Sequence, residues 1–275
     1  MKKSTLYYSI LTAILIAITA VFGLLVPETY QRESANWTAQ AKAEDWIDLI
    51  IVFPGLIITS LLAYRKSAVA RLCRLGLLLY TIYAFILYGF AVHFNFLFPA
   101  YVAVLGLSVF LAISELSGYD HEALKERTRE NWSRTGAGIL LIVKGVLFYF
   151  LWGKDIVSNL IAGTVPQEII DIGMPTNAVW VIDTSVALPA LIYAGYLLLK
   201  RRPLGYALGG ALLVFMTVMS TNILFLMWYM AQCGFAPNAA GMSMMSFMLV
   251  VDLIITVSFM KTVSNRTETT SQDKP

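Results

Sequence analysis

The chain is poor in charge and nearly devoid of side chains suited to metals or redox chemistry. Charged residues make up 13% of its 275 positions, about half the share usual in a soluble domain. Its two cysteines, Cys73 and Cys233, are too few and too far apart for a thiol-pair redox motif or a cysteine zinc site. With only His93 and His121 as histidines, far apart in sequence, neither haem or multinuclear metal chemistry nor any other metal or cofactor is expected. There is no Walker-type phosphate loop, no HExxH and no GxSxG elbow. No polar stretch outside the oily segments exceeds roughly 25 residues, too short for an independent soluble core. The net charge is only +3 and the basic residues are scattered, so nucleic acid is not an expected partner.

What the chain has in abundance is apolar sequence, 58% of its residues, with a mean hydropathy of +0.71. Runs long enough to cross about 30 Å of hydrocarbon predict eight helices, near residues 5–25, 46–64, 75–93, 97–116, 136–152, 178–199, 204–230 and 240–260. The expected fold class is therefore an all-α polytopic membrane bundle. The first run follows Lys2 and Lys3 as a signal peptide would, but its apolar stretch is long and no A-x-A site follows, so it reads as a retained span.

Orientation follows from the cations. Placing both termini and the loops at 65–74, 117–135 and 200–203 in the cytoplasm gathers there all of the 20 lysines and arginines except Arg32, Lys42, Lys144 and Lys154. The expectation is N-in and C-in, in a cytoplasmic (inner) membrane, with membrane lipids as constant partners. The 117–135 connection has the charge pattern of a solvated helix.

Two segments share a pattern. WIDLIIVFPGLIITSLLAYRK begins at Trp46 and WVIDTSVALPALIYAGYLLLKRR at Trp180. Aligning Asp48 with Asp183, 135 positions later, also aligns Pro54 with Pro189 and Arg65-Lys66 with Lys200-Arg201. A six-residue shortening of the next turn brings Leu75-Gly76 onto Leu204-Gly205 and sets His93 opposite Asn222. This predicts two parallel four-span repeats related by an axis along the membrane normal. The halves are 1–135 and 136–262, followed by a disordered cytoplasmic tail over 263–275.

Each conspicuous polar residue has a structural and a functional reading. Asp48 and Asp183 fall where a carboxylate caps the first turn of a helix, and Pro54 and Pro189 would kink each helix farther in. Alternatively Asp48, His93, Asn95, Asp183 and Asn222 line one outward-facing cavity between the halves. Lys144 and Asp252 lie nine or ten residues from a basic marker, Arg134 and Lys261 respectively, which puts both about 14 Å deep. A charge at that depth costs about 2.5–3.5 kcal/mol, so they are expected to form an ion pair fixing helix packing or an ion or proton relay. The methionines at 242, 244, 245 and 248 read as adaptable packing.

The stretch YTIYAFILYGFAVHFNFLFPAYVAVLGLSVFLAI, residues 80–113, resembles prokaryotic multi-pass inner-membrane proteins of no assigned activity, in which an aromatic-rich span leads into a His-Phe-Asn turn. The resemblance implies a bacterial or archaeal inner membrane and transfers no activity to His93 or Asn95. The leading expectation is a small transporter or permease-like protein with a polar cavity between the repeats, taking a small molecule or an ion. Two alternatives stand beside it: an accessory or scaffold subunit of a membrane-protein partner, and an enzyme acting on a lipid-linked substrate at the outer leaflet. A non-enzymatic role is favoured.

Overall fold

The computed structural model of the chain describes residues 2–263. The tail expected over 263–275 lies outside the described residues apart from Val263, which is buried and pairs with Thr128. Among the described residues there is no strand, and eight helices are long and apolar enough to cross a membrane. Numbered in chain order, spans 1 to 8 are Lys3–Leu25, Ala35–Tyr64, Ala68–Phe90, Phe98–Ser117, Trp132–Ala162, Ala178–Leu199, Pro203–Gln232 and Ala239–Met260. Large apolar side chains such as Phe110, Phe150 and Ile161 lie exposed on the bundle's outside. In water that would be a defect; around a bundle of spanning helices it is the face that meets lipid. The chain is a multi-pass membrane protein.

Local chemistry explains where the spans begin. The side chains of Ser34, Ser67, Asn131, Asn177 and Asn238 each accept a backbone N–H from the first turn of the helix that follows, satisfying donors that a helix start leaves free. Span 2 thus begins at Ala35, well before the expected 46. Its 30 residues reach about 45 Å at 1.5 Å per residue, more than the hydrocarbon is thick. Asp48 and Asp183 accordingly cap nothing: Ser34 and Asn177 do that work, and both acids lie inside continuous helix.

Each of these two acids opens a π-helical turn, Asp48–Val52 and Asp183–Ala187. The N–H of Phe53 reaches back five residues to the Asp48 carbonyl, and that of Leu188 to the Asp183 carbonyl. Pro54 and Pro189 come next, in the first turn of the resumed α-helix. A proline lacks an N–H and crowds the carbonyl four residues before it; widening the preceding turn relieves that crowding while keeping the neighbouring backbone groups bonded. The prolines therefore produce π turns. The correspondence continues without a gap. The helices end at Tyr64 and Leu199, Lys66 (φ 68°) and Arg201 (φ 54°) adopt the left-handed conformation that closes them, and the next spans open at Ala68 and Pro203. Both turns have equal length, so the expected six-residue shortening is absent. In the uninterrupted register Asn222 matches Leu87, and His93 matches Trp228 instead of Asn222.

Spans 3 and 7 pack against each other at the centre. Span 2 flanks span 3 as span 6 flanks span 7; span 4 covers span 3 as span 8 covers span 7. Span 1 touches spans 2 and 4, and span 5 touches spans 6 and 8. At the centre, a Cβ added to Gly76 would come within 2.5 Å of the Ala211 carbonyl oxygen, so spans 3 and 7 meet backbone to backbone.

One end of the bundle is rich in arginine. Arg71 reaches Glu115 at 2.6 Å, the buried Arg74 pairs with the same carboxylate, and Ser9 accepts from Arg74 at 2.8 Å. Arg134 donates to the Leu198 carbonyl and to Glu130, both at 2.6 Å. Partial burial works against ionising Glu130, yet hydrogen bonds from Tyr206 and Arg134 and the charge of Arg201 hold its carboxyl below its ordinary pKa. The opposite end is acidic, with Glu28, Glu33, Asp155, Glu168 and Asp171, and is tied by side-chain-to-backbone bonds. Trp37 Nε1 donates to the Ala91 carbonyl at 2.6 Å and Ser34 Oγ to the Ile172 carbonyl at 3.1 Å.

Candidate functional site

A cavity of about 420 Å³ lies between the two sets of four spans, bounded by spans 2, 3, 5, 6, 7 and 8. Its walls are mostly apolar and rich in methionine, with polar groups at chosen points. Gln40, Asp155, Glu168 and Asn238 line its part at the acidic end of the bundle, Glu44, Asp183 and Asn222 its interior, and Ser220 a deeper point.

The interior acids are held by hydrogen bonds from different spans. Glu44 accepts from the Tyr80 hydroxyl of span 3 and from Asn222 Nδ2 of span 7, both at 2.5 Å. This carboxylate thereby ties spans 2, 3 and 7 together. Asp183 accepts from Trp152 Nε1 of span 5 at 2.7 Å, and the Tyr83 hydroxyl of span 3 also faces it. Asn222 is 5% exposed, and its Oδ1 has no hydrogen-bond partner among the described residues. A buried amide carbonyl without a partner is costly, and here the unpartnered acceptor belongs to a residue of the cavity wall. Near the mouth, burial, with Asp155 and Asp171 close by, raises the Glu168 carboxyl above its ordinary pKa, while the hydrogen bond from Asn177 opposes the shift.

Ser220 joins the cavity to the charges in the middle of the bundle. Lys144 Nζ lies 2.5 Å from Asp252 Oδ2, and Ser220 Oγ lies 3.0 Å from Lys144 Nζ and 2.6 Å from Asp252 Oδ2. Lys144 and Asp252 are 2% and 1% exposed. The ammonium donates to both oxygens and the serine donates to the carboxylate, so the three groups form a closed ring of charge-assisted bonds. Asp252 Oδ1 has no partner among the described residues.

The expected cavity of five residues divides three ways. Asp183 and Asn222 line the cavity. His93 and Asn95 lie instead beside a separate hollow at the acidic end, with Glu28, Arg32 and Phe96. There His93 Nδ1 lies 3.0 Å from Glu33, while Asn95 donates to the Thr29 carbonyl and accepts from the Leu97 N–H. Their placement is a correction with a simple cause. Span 3 ends at Phe90, so His93 belongs to the following turn, where it pins the loop after span 1. Asp48 is the second correction. It is 0% exposed, lies outside the cavity lining, and neither carboxyl oxygen has a hydrogen-bond partner among the described residues. Between it and the cavity's own acid lies one helical turn: Glu44, four residues earlier on the same face, takes the place expected for Asp48.

Hydropathy alone does not mark Glu44, because AQAKAED is polar enough to resemble loop. The signal was nevertheless present. Ser34 is a helix-capping residue, and Ala39, Ala41 and Ala43 are the strongest helix formers, which extends span 2 back through Glu44. Asp45, the adjacent acid, is bonded by the Tyr30 and Tyr88 hydroxyls, each at 2.8 Å, and belongs to the packing of spans 1 to 3.

An unpartnered buried carboxyl is a liability for stability. Asp48→Leu is expected to stabilise the protein by about 1–3 kcal/mol, the range for relieving a buried unsatisfied polar group. Thermal unfolding in detergent measures this; a lowered midpoint would show that the carboxyl is held by an interaction that leucine removes.

Among the described residues no group of three or more His, Cys, Asp or Glu side chains is arranged to hold a metal ion. The site is a half-open, largely apolar chamber with interior carboxylates and a buried ion pair behind one wall. No family model matches the chain, and neither a curated protein nor a solved structure matches it.

Proposed function

We propose that this protein is a small transporter whose solute site is the cavity between two parallel four-span halves, 1–135 and 136–262. The observation that carries the reading is the chamber of about 420 Å³ that runs from Asp155 and Glu168 past Glu44, Asp183 and Asn222 to Ser220, which bonds the buried Lys144–Asp252 pair. A scaffold that only packs against a partner has no use for such a space. Binding sites of transporters built from repeats lie near the bilayer midplane at the repeat interface, beside interrupted helices; here the interruption is the π turn at Asp183.

The repeat itself is supported by the register of 135 held through π turn, proline, left-handed residue and following span, and by the matching neighbours of spans 3 and 7. A further parallel lies in the ionic clusters. Ser9, Arg74 and Glu115 join spans 1, 3 and 4, while Lys144, Ser220 and Asp252 join the corresponding spans 5, 7 and 8. The acid stays on the last span of each half while cation and hydroxyl exchange places. The halves have diverged where it matters for a site: Asp183 faces the cavity, and its counterpart Asp48 is sealed. The cationic end is cytoplasmic in this reading, with both termini inside and the cavity opening outward across an inner membrane.

Cysteine labelling tests the proposal. In a background with Cys73→Ser and Cys233→Ser, Met219→Cys in the cavity wall is expected to react with a membrane-impermeant methanethiosulfonate from the acidic face in one set of vesicles and from the basic face in vesicles of opposite orientation. Alternating access requires both. Reaction from one face alone under every ionic condition tried would leave a one-sided pocket and defeat the transporter reading.

A further inference from the structure

The walls of the cavity are selective in charge. Four carboxylates line it, Glu44, Asp155, Glu168 and Asp183, and among the described residues the lining includes no lysine, arginine or histidine. The nearby buried cation, Lys144, is neutralised by Asp252 at 2.5 Å and capped by Ser220, so it adds little positive field to the chamber. An anion entering would meet only like charge.

Size and composition narrow the class further. A bare metal ion would need several oxygen ligands converging at about 2.3–2.6 Å, whereas the chamber holds about 420 Å³ and is mainly apolar. Trp37, Tyr83, Tyr88 and Trp152 contribute aromatic side chains to the lining, and aromatic faces attract cations while also accepting an apolar body. The methionines of spans 7 and 8 give the opposite wall an adaptable surface. Glu44 and Asp183 are already fixed by donors from neighbouring spans. Asn222 supplies the missing piece: its Oδ1, on a side chain 5% exposed, is an acceptor without a donor among the described residues. A protonated amine can supply that N–H; a quaternary ammonium cannot.

We infer that the cavity takes an organic ammonium ion with an apolar, ring-sized body, its N–H groups directed to Asn222 Oδ1 and its charge balanced by Glu44 and Asp183. This inference rests on the cavity being the solute site.

The test compares three molecules of one shape on the full chain in nanodiscs by titration calorimetry: phenethylammonium, propylbenzene and 3-phenylpropanoate. Phenethylammonium is expected to bind at least tenfold more tightly than the other two. Asp183→Asn is expected to weaken its binding about tenfold, and the double variant Asp155→Asn, Glu168→Gln at the mouth, which leaves the interior packing untouched, to weaken it by a smaller factor. Equal or tighter binding of the neutral or anionic molecule, failure of all three to bind at millimolar concentration, or unchanged selectivity in both variants overturns the inference. Flux in proteoliposomes separates this from the transporter reading. Phenethylammonium bound but not translocated defeats transport and leaves the ligand class standing, whereas translocation of only neutral or anionic solutes does the reverse.

Discussion

Replacing Lys144 with methionine is expected to destabilise the protein by about 3–5 kcal/mol, the cost of leaving one member of a buried ion pair without its partner. The remaining carboxylate, Asp252, would keep only the hydrogen bond from Ser220, in a site where it is 1% exposed. Asp252→Leu alone is expected to cost a similar amount, for it strands the ammonium. The double variant Lys144→Met, Asp252→Leu should recover most of the loss, because replacing both charges by apolar groups of similar volume is often neutral or better. Unfolding in mixed micelles, read as a double-mutant cycle, measures the coupling. Additive losses would mean that the two groups are solvated separately. If the pair exists for packing alone, the double variant should also keep solute binding and flux. Under the transporter reading it keeps the fold and loses flux, since Ser220 connects the pair to the cavity wall.

The second large effect belongs to the central crossing. Gly76→Ala is expected to destabilise the bundle by about 1–3 kcal/mol, the usual cost of overpacking a tight contact, and at the upper end of that range. The added methyl would stand 2.5 Å from the Ala211 carbonyl oxygen and 2.6 Å from Val214 Cβ. Neither is the far end of a flexible chain, so spans 3 and 7 must separate. Gly89 provides the control within the same span. A Cβ there has nothing within 4 Å, and Gly89→Ala is expected to be neutral or to stabilise by up to about 1 kcal/mol through helix propensity. Equal effects of the two substitutions on the unfolding midpoint would refute backbone contact between spans 3 and 7. Because the cavity lies between the two sets of four spans that this crossing joins, Gly76→Ala should also weaken binding at a site that residue 76 does not line.

The parts legible in the sequence are those governed by short-range rules. Apolar runs located all eight spans, since a helix in lipid must bond its own backbone and bury no water. Depth counting from Arg134 and Lys261 put Lys144 and Asp252 at one level, because rise per residue is constant along a helix. The pairing of Asp with Pro was visible too. Its meaning, a π turn closed by the Asp carbonyl, was not, for hydropathy carries no information on how a helix absorbs a missing N–H.

Misreadings arose where a boundary or a neighbour decided the outcome. Span 2 starts at Ala35 through a serine cap and three alanines, and a reading that stopped at the charged cluster lost Glu44. His93 looked like the end of a span and is a loop residue bound to Glu33. Asp48 and Asp183 occupy the same place in the same local motif, so nothing within either segment could tell them apart.

Residue type and spacing along a single helix are enough to find eight helices long and apolar enough to cross a membrane, where most of them begin, and two opposite charges at matched depth. Tertiary structure alone decided that Glu44 and not Asp48 reaches the cavity, that Asn222 bridges to it, and that Ser220 joins cavity to ion pair. Those contacts span up to 178 positions, and the rotation of one helix against another is set by packing of side chains that no local pattern encodes.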